Sequence, residues 1–427
     1  MATFEPTGNE VTEGIGADTL VVGGGIAGMT TAIESAEVGK HIILLDKEAT
    51  IGGRVATSNQ YFPKLCPPTC GMEINLKRMR LSPYVRVLTL AVVEEISGGP
   101  GDYQVKIRLA PRFVNEKCTA CGECEKVCEI ERENDFNYGM DNTKAIYLPH
   151  QMAYPQRYVV DPKFASDERM RKCVDACEYG AIELDMQPQT ITARVKAIVW
   201  ATGWKPYDAT KMEKLGFGQY ANVITNVMME RLASEGGPSE GKITRPSDGG
   251  EIKKIGFVQC AGSRDDNHLP YCSAVCCLVS MKQATYVRER YPDAEIHLFY
   301  IDVRSPGRME DFYEKVKADE KFFFHRGKVG QIEEKPDKNV VLHAENTLTG
   351  EMTEMEVDMA VLAVGMVPNC GDSPPPGVEL DEFGFIANKK GDGIIGTGTS
   401  VRPFDVAASV QDATGAALKA INVASGR

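Results

Sequence analysis

Cys260, Cys272, Cys276 and Cys277 lie in the stretch VQCAGSRDDNHLPYCSAVCC with the spacing C-x11-C-x3-C-C. Four soft thiolates form the ligand set of an iron–sulfur cluster, one sulfur for each iron. The preceding strand, Lys253–Val258, leads into a turn and then a helix. A nicotinamide-binding domain carries its Gly-rich phosphate turn at that point. Here the turn reads Gln259-Cys260-Ala261-Gly262-Ser263, so sulfur occupies the cofactor's place. A helix from about Cys272 to Arg290 puts Cys272 and Cys276 on one face, with Cys277 turned about 100° away. Cys260 then approaches from the turn. The competing reading is a set of buried free thiols.

A second group of cysteines lies between about 111 and 187, where aliphatic strands give way to charges. Cys118-x2-Cys121-x2-Cys124-x3-Cys128 is a bacterial ferredoxin run, and Cys173-x3-Cys177 resembles the end of another. The fourth cysteine of each such run serves the other cluster. Cys118, Cys121, Cys124 and Cys177 therefore make up one [4Fe–4S] ligand set. Cys128 and Cys173 are left for a second set, whose first two ligands would fall at Asp167 and Met170, both poor choices. The expectation is one cluster here; a cluster-free insertion, two clusters and a zinc site are the alternatives.

These thiols need a scaffold, and the N-terminal region supplies one. Strand Thr19–Val22 is followed by Gly23-Gly24-Gly25-Ile26-Ala27-Gly28, a helix to about Val38, and strand His41–Leu45 ending at Asp46. This is a dinucleotide-binding fingerprint. Gly23 allows the turn, Gly25 admits the pyrophosphate and Gly28 allows close helix–strand packing. Asp46, 18 residues beyond Gly28, is placed to accept hydrogen bonds from a ribose. Two near-repeats, AIVWATGWKP (Ala197–Pro206) and AVLAVGMVP (Ala360–Pro368), resemble the paired strand ends of flavoproteins built from two dinucleotide-binding domains. Gly203 and Gly365 would mark the crossings between domains. Strand Ile394–Gly398 precedes a helix from Val406 to about Ile421, whose dipole would face the flavin.

The chain has 427 residues and a net charge of −12, enough for two or three domains and against nucleic acid as a partner. Its apolar runs are too short to cross a bilayer. The first residues, MATFEPTGNE, are acidic and polar, not a signal peptide. Thirteen cysteines then read as metal ligands in a reducing, oxygen-poor cytoplasm. Six scattered histidines suggest no metal–histidine site. Cys66-Pro67-Pro68-Thr69-Cys70 leaves structural thiols, ligands completed from elsewhere and a redox dithiol all open, and Cys370 carries no assigned role.

Taken together, these motifs with Gly52-Gly53-Arg54, Phe62-Pro63, YCSAVCC (Tyr271–Cys277) and Pro403-x-Asp405 resemble the A subunit of heterodisulfide reductase. The resemblance implies an α/β, thioredoxin-reductase-like flavoprotein with two dinucleotide-binding domains and an inserted ferredoxin-like segment. It divides the chain into an FAD-binding part (1–110), the insertion (111–187), more FAD domain and linker (188–250), a cluster-carrying NAD-domain-like module (251–355) and a C-terminal FAD part (356–427). Implied FAD contacts are Gly23, Gly25, Gly28, Asp46, Lys47, Gly53, Arg54, Ala201, Thr202, Gly203, Gly398, Thr399, Pro403, Asp405 and Val406. Lys282, five residues after Cys277, corresponds to a lysine beside flavin N5; an exposed helix lysine is the alternative. The compact length and degraded insertion look most like the short A subunit of the quinone-interacting membrane-bound oxidoreductase complex. That likeness implies three partners: a homologous flavoprotein or second copy, a membrane subunit with haem b, and adenylylsulfate reductase. Membrane association would come only through them. The A subunit of heterodisulfide-reductase-like sulfur-oxidation complexes is the near alternative, and an NAD(P)H-dependent flavin reductase the distant one.

Overall fold

The computed structural model describes residues 15–389 and 391–426; the polar first decapeptide lies outside them. Two α/β units share the chain. In the first, a seven-stranded sheet runs Val85–Thr89, Ile42–Asp46, Ile15–Val22, Gln189–Trp200, Asp102–Leu109, Ala91–Gly99, with Ile394–Gly396 also paired to Gln189–Trp200. Strand Gln189–Trp200 serves two environments. Gln189–Val195 pairs antiparallel with Asp102–Leu109, whereas Ile198–Trp200 pairs parallel with Ile394–Gly396. Its burial follows suit, alternating at first and then continuous from Ala197 to Trp200. Antiparallel ladders tolerate one wet face, while the parallel part is covered on both sides.

The second unit is a five-stranded parallel sheet in the order Val223–Thr225, Met359–Val364, Lys254–Ala261, Glu295–Tyr300, Phe322–Arg326. An antiparallel sheet of Lys328–Glu334, Val340–Glu345 and Met352–Val357 accompanies it. This corrects the sequence-derived boundaries of 251–355. Val223–Thr225 and Met359–Val364, assigned by sequence to FAD-domain pieces, are strands of the second sheet. The two near-repeats do form the crossings, and they pair with each other: Trp204–Pro206 runs antiparallel to Met366–Pro368.

The insertion has its own small core, which includes Cys124, Cys128, Ile130, Ile146, Met170 and Cys173. Its base is tied down by buried Arg112, which donates to Thr89 Oγ1 at 2.7 Å and to the Ala49 carbonyl. Further out it touches both α/β units. Phe136 packs on the core of the first, and Met140 on the core of the second. Buried Arg231, on helix Asn226–Ala233, donates to Asn137 Oδ1 at 2.7 Å and to the Gly236 carbonyl at 2.8 Å. Its guanidinium lies 4.5 Å from the Phe136 ring centre. The insertion is thus a strut between the two units as well as a carrier of cysteines. No helix of the described residues is long and apolar enough to cross a membrane.

Replacing Arg231 with Met keeps the aliphatic stem but removes charged hydrogen bonds worth about 2 kcal/mol. The urea midpoint should fall accordingly, and proteolysis within 111–187 should speed up. An unchanged midpoint and digestion pattern would refute the strut.

Candidate flavin and iron–sulfur sites

The first glycine turn has the shape of an anion cradle. Gly23 has φ +109°, and a Cβ there would sit 2.2 Å from the Ala201 carbonyl oxygen; at Gly28 it would lie 1.8 Å from that of Gly23. At Gly25 the nearest heavy atom would be 3.9 Å away, so the backbone is open to a ligand. The helix that follows, Ile26–Glu37, has no side-chain cap, and the N–H groups of a helix's first turn lack intrahelical partners. These residues fit a dinucleotide pyrophosphate.

Asp46 is more constrained than the sequence indicated. Its Oδ2 accepts from Gly24 N at 2.7 Å and its Oδ1 from Glu48 N at 2.8 Å, tying the turn to the strand end. Burial pushes its carboxyl up to about 6. Each oxygen keeps a second lone pair for a ribose hydroxyl. Lys47 is solvent-exposed beside Glu48. Gly53, at φ +56°, backs onto Gly25. Arg54 donates to the Trp204 carbonyl at 3.1 Å and to Tyr138 Oη at 2.9 Å, joining the turn to the insertion.

On the far side, Ala201 N donates to the Val22 carbonyl at 2.8 Å, and Asn369 Nδ2 to the Thr202 carbonyl at 2.7 Å. Gly203 takes φ +71°, with Thr399 Oγ1 nearby. Gly398, at φ +63°, lies against Ala27, and its N–H donates to Asp412 Oδ2 at 2.8 Å. Asp412 also accepts from Thr397 Oγ1 at 2.8 Å and was not identified from sequence. Pro403 leads into helix Val406–Ala424, and Val406 packs on the first core. Asp405 caps this helix, accepting from Ala408 N at 2.7 Å, so its carboxylate orients the helix.

The thiols of the second unit are gathered, though not as the spacing suggested. The helix begins at Cys276, and Cys272 precedes it in irregular chain. The expected shared helical face of Cys272 and Cys276 is therefore wrong. Long-range bonding explains it: Ser273 Oγ accepts from Met366 N at 2.9 Å, and Ala274 takes φ +63°, which no helix continues through. Cys260, Cys276 and Cys277 are buried and Cys272 half-buried, all four as free thiols. Burial pushes the Cys260 thiol up to about 11, and charge on Cys277 and Cys272 acts in the same direction. Cys276 is raised by burial and then by Cys260, Cys277 and Cys272. The four therefore share one electrostatic neighbourhood.

In the insertion, burial pushes Cys124 up to about 12, with Cys118, Cys177 and Cys121 adding to the shift. Cys173 is likewise raised to about 12, by burial and then by Cys128, which it hydrogen-bonds. Cys124 also raises Cys173, so the six thiols lie close together around one small core. At the expected second-set positions, Asp167 caps a short helix by accepting from Arg169 N at 2.9 Å, and Met170 is fully buried. Among the described residues no three His, Cys, Asp or Glu converge closely enough for one metal ion. A four-iron cluster asks for something else, since each thiolate meets a different iron. Raised thiols that lower one another's acidity fit a cationic core that takes them as thiolates.

The loop before Cys272 is bonded to itself. Arg264 N donates to the Tyr271 carbonyl at 3.1 Å, Asp265 N to that of Leu269 at 3.0 Å, and Leu269 N to that of Gly262 at 2.9 Å. These N–H groups are consumed within the loop. His268 is half-buried and bonded through Nδ1 to Tyr207 Oη at 2.8 Å.

Lys282 is not an exposed helix lysine. Only 4% exposed, it pairs with Glu230 at 3.0 Å and donates to the Gln60 carbonyl. Glu230 also accepts from Asn59 N at 2.9 Å, Gln283 Nε2 at 2.7 Å and Tyr286 Oη at 3.3 Å. Glu230 was missed from sequence because no motif surrounds it. Cys70 is exposed and Cys66 half-buried, flanking the start of helix Pro68–Leu81, with Tyr61 close enough to feel both. Cys370 is buried in the first unit and donates to the Gly384 carbonyl at 3.3 Å.

Residues 21–80 match the NAD(P)-binding Rossmann-like domain family. The fold is that of thioredoxin reductase. Thioredoxin reductase of T. acidophilum superposes with TM-score 0.52 at 14% identity, covering 96% of this chain and 98% of that one. Bacillithiol disulfide reductase Bdr of Bacillus cereus gives 0.52 at 13% identity, covering 96% and 100%. The second iron-sulfur A subunit of CoB–CoM heterodisulfide reductase from Methanopyrus kandleri is 39% identical over 94% of this chain and 63% of its own length. The A subunit of H(2):CoB-CoM heterodisulfide,ferredoxin reductase from Methanothermobacter thermautotrophicus is 36% identical, with the same 94% and 63% covered. The chain thus spans a little under two thirds of the curated relatives it matches. Across that shared portion it is similar to the A subunits of heterodisulfide reductase.

Proposed function

We propose that this chain is an electron-transfer subunit of a multisubunit oxidoreductase. It would bind FAD at the Gly23–Gly28 turn, one [4Fe–4S] cluster on Cys260, Cys272, Cys276 and Cys277, and another on Cys118, Cys121, Cys124 and Cys177. Bound FAD supplies two-electron chemistry and the clusters one-electron steps. The observation that carries this reading is the gathering of four mutually interacting thiols at the end of strand Lys254–Ala261, beside a loop whose Arg264, Asp265 and Leu269 N–H groups are bonded within it.

The chain's own groups have distinct tasks. The Gly23–Gly28 turn holds the pyrophosphate, and Asp46 fixes that turn. By its correspondence to the family's lysine, Lys282, paired with Glu230, would be the cation that favours negative charge on the flavin ring. The finer reading is a quinone-linked complex of sulfur metabolism, with a homologous flavoprotein, a membrane subunit carrying haem b, and adenylylsulfate reductase as partners. Its support is the insertion, which keeps one complete cysteine set and fills the other with Asp167 and Met170. The names of the relatives, reductase subunits and an iron-sulfur subunit, support the broader role.

Anaerobically purified protein should lose about four irons when Cys260, Cys272, Cys276 and Cys277 all become Ser, and none when Cys128 and Cys173 do. Equal iron in wild type and the quadruple variant ends the proposal. NADH or NADPH should not bleach the flavin rapidly; saturable bleaching would favour a pyridine-nucleotide reductase instead.

Lys282→Met leaves a buried carboxylate without its cation, a loss of about 3 kcal/mol. Adding Glu230→Gln should recover part of it in urea titrations. Additive losses in the double variant would show that the two side chains do not act as a pair.

A further inference from the structure

Two residues of the loop beside the four thiols carry a Cβ and yet take positive φ: Cys260 and Arg264, each at +56°. That conformation is unfavourable and persists only where the surroundings hold it. At Arg264 the holders are visible. Its main chain donates to the Tyr271 carbonyl at 3.1 Å, and its Nη1 donates to Asp302 Oδ1 at 2.8 Å. Its side chain, only 25% exposed, also hydrogen-bonds the Cys260 thiol. The other three thiols bond to main chain. Cys276 Sγ donates to the Val364 carbonyl at 3.8 Å, Cys277 Sγ donates to that of Asp302 at 3.7 Å, and Cys272 Sγ accepts from Ala274 N at 3.3 Å. A guanidinium is thus shared between the Cys260 thiol and the Asp302 carboxylate. Arg304 also meets Asp302, at 3.4 Å, but its side chain is 50% exposed. Asp265, next to Arg264, pairs with Lys328 at 2.6 Å instead.

We infer that Arg264 is a positioning residue of the four-thiol site: it fixes a permanent positive charge on the Cys260 sulfur and so makes the bound centre easier to reduce, while Asp302 holds the guanidinium in place and limits its effect. The inference rests on the proposed cluster and deepens it. Reduction adds one electron and moves no bond or proton, so the site gains one negative charge. A cation hydrogen-bonded to a ligating sulfur stabilises the reduced form more than the oxidised one. Hydrogen bonds to the sulfurs and the net local charge are among the factors that set such potentials. A guanidinium stays charged at any working pH, so the effect does not titrate away. The Asp302 carboxylate acts with the opposite sign. Half-buried, these charges are screened less than exposed ones would be.

The test uses the whole cofactor-loaded chain and a redox titration followed by EPR, with the signal assigned by its loss in the quadruple Ser variant. Arg264→Gln should make reduction about tenfold less favourable, a midpoint shift of about 59 mV to lower potential for one electron. Arg264→Lys, which restores the charge, should recover at least half of that shift. Asp302→Asn should move the midpoint the other way. A residue that only braced the loop would behave differently, since Arg264→Gln and Asp302→Asn remove the same ion pair. Midpoints that shift alike in the two variants, or in neither, overturn the inference. Should Arg264→Gln fail to hold iron, Asp302→Asn decides by sign: an upward shift supports the inference, and a downward shift or none overturns it. Iron content separates the two claims. No iron on the four thiols of wild type ends the cluster reading and the inference with it, whereas iron with unmoved midpoints ends the inference alone.

Discussion

The ion pair of Lys282 with Glu230 is the constraint on which the relation between the two α/β units depends. Taking a carboxylate and an ammonium out of water costs several kcal/mol for each ion, offset only when the remaining lone pairs and protons are bound. Glu230 meets that condition with Lys282, Gln283 and Tyr286 from one helix and the main chain of Asn59 from the other unit. Lys282 meets it by donating to the Gln60 carbonyl. Neither side is satisfied alone, so the network forms only when the units are docked. Helix Cys276–Arg290 is thereby fixed in rotation and height. Its first two residues are two of the four gathered cysteines, and Lys282 lies about 7.5 Å further along the axis than Cys277. One buried network thus positions thiols and cation together.

Arg231, the next residue, does for the insertion what Glu230 does for the helix. The side chains diverge, one toward Lys282 and the other toward Asn137 and Phe136. Arg54 reaches the same insertion from the flavin turn through Tyr138. A ferredoxin-like segment that only carried cysteines would need no such anchors. Here it spans both units, so the separation between its thiols and the four-thiol site is set by rigid contacts.

How much was legible depended on whether a signal was local. The glycine turn and the near-repeats are short patterns with fixed spacing, and the structure uses each where it stands in sequence. Sheet membership is not local. Val223–Thr225 has only three residues and enters the second sheet by pairing with Met359–Val364, more than a hundred positions away. Asp412 and Glu230 bond to residues that no motif connects to them. Cys272 fell off its expected helix because Ser273 is tied to Met366 across the domain. Helical periodicity has no means of registering such a bond.

The same distinction explains the end of strand Lys254–Ala261. A glycine turn needs no distortion to receive a phosphate, because its φ values are free. A cysteine in its place must be aimed. The ladder between this strand and Met359–Val364 slips between Val258 and Ala261, and within the slip Cys260 adopts φ +56°. A residue bearing a Cβ pays about 1–2 kcal/mol for that conformation, and bulges recur where a side chain has to be re-aimed. Without the bulge Cys260 would follow the strict alternation of the strand. With it, Gln259 and Cys260 are both buried, and Cys260 comes within electrostatic reach of Cys277 and Cys272. Local strain of this kind persists only where the surroundings hold it. Here the surroundings are the closed loop from Gly262 to Tyr271 and the helix fixed by Lys282, so the distortion and the network that holds it belong to a single arrangement.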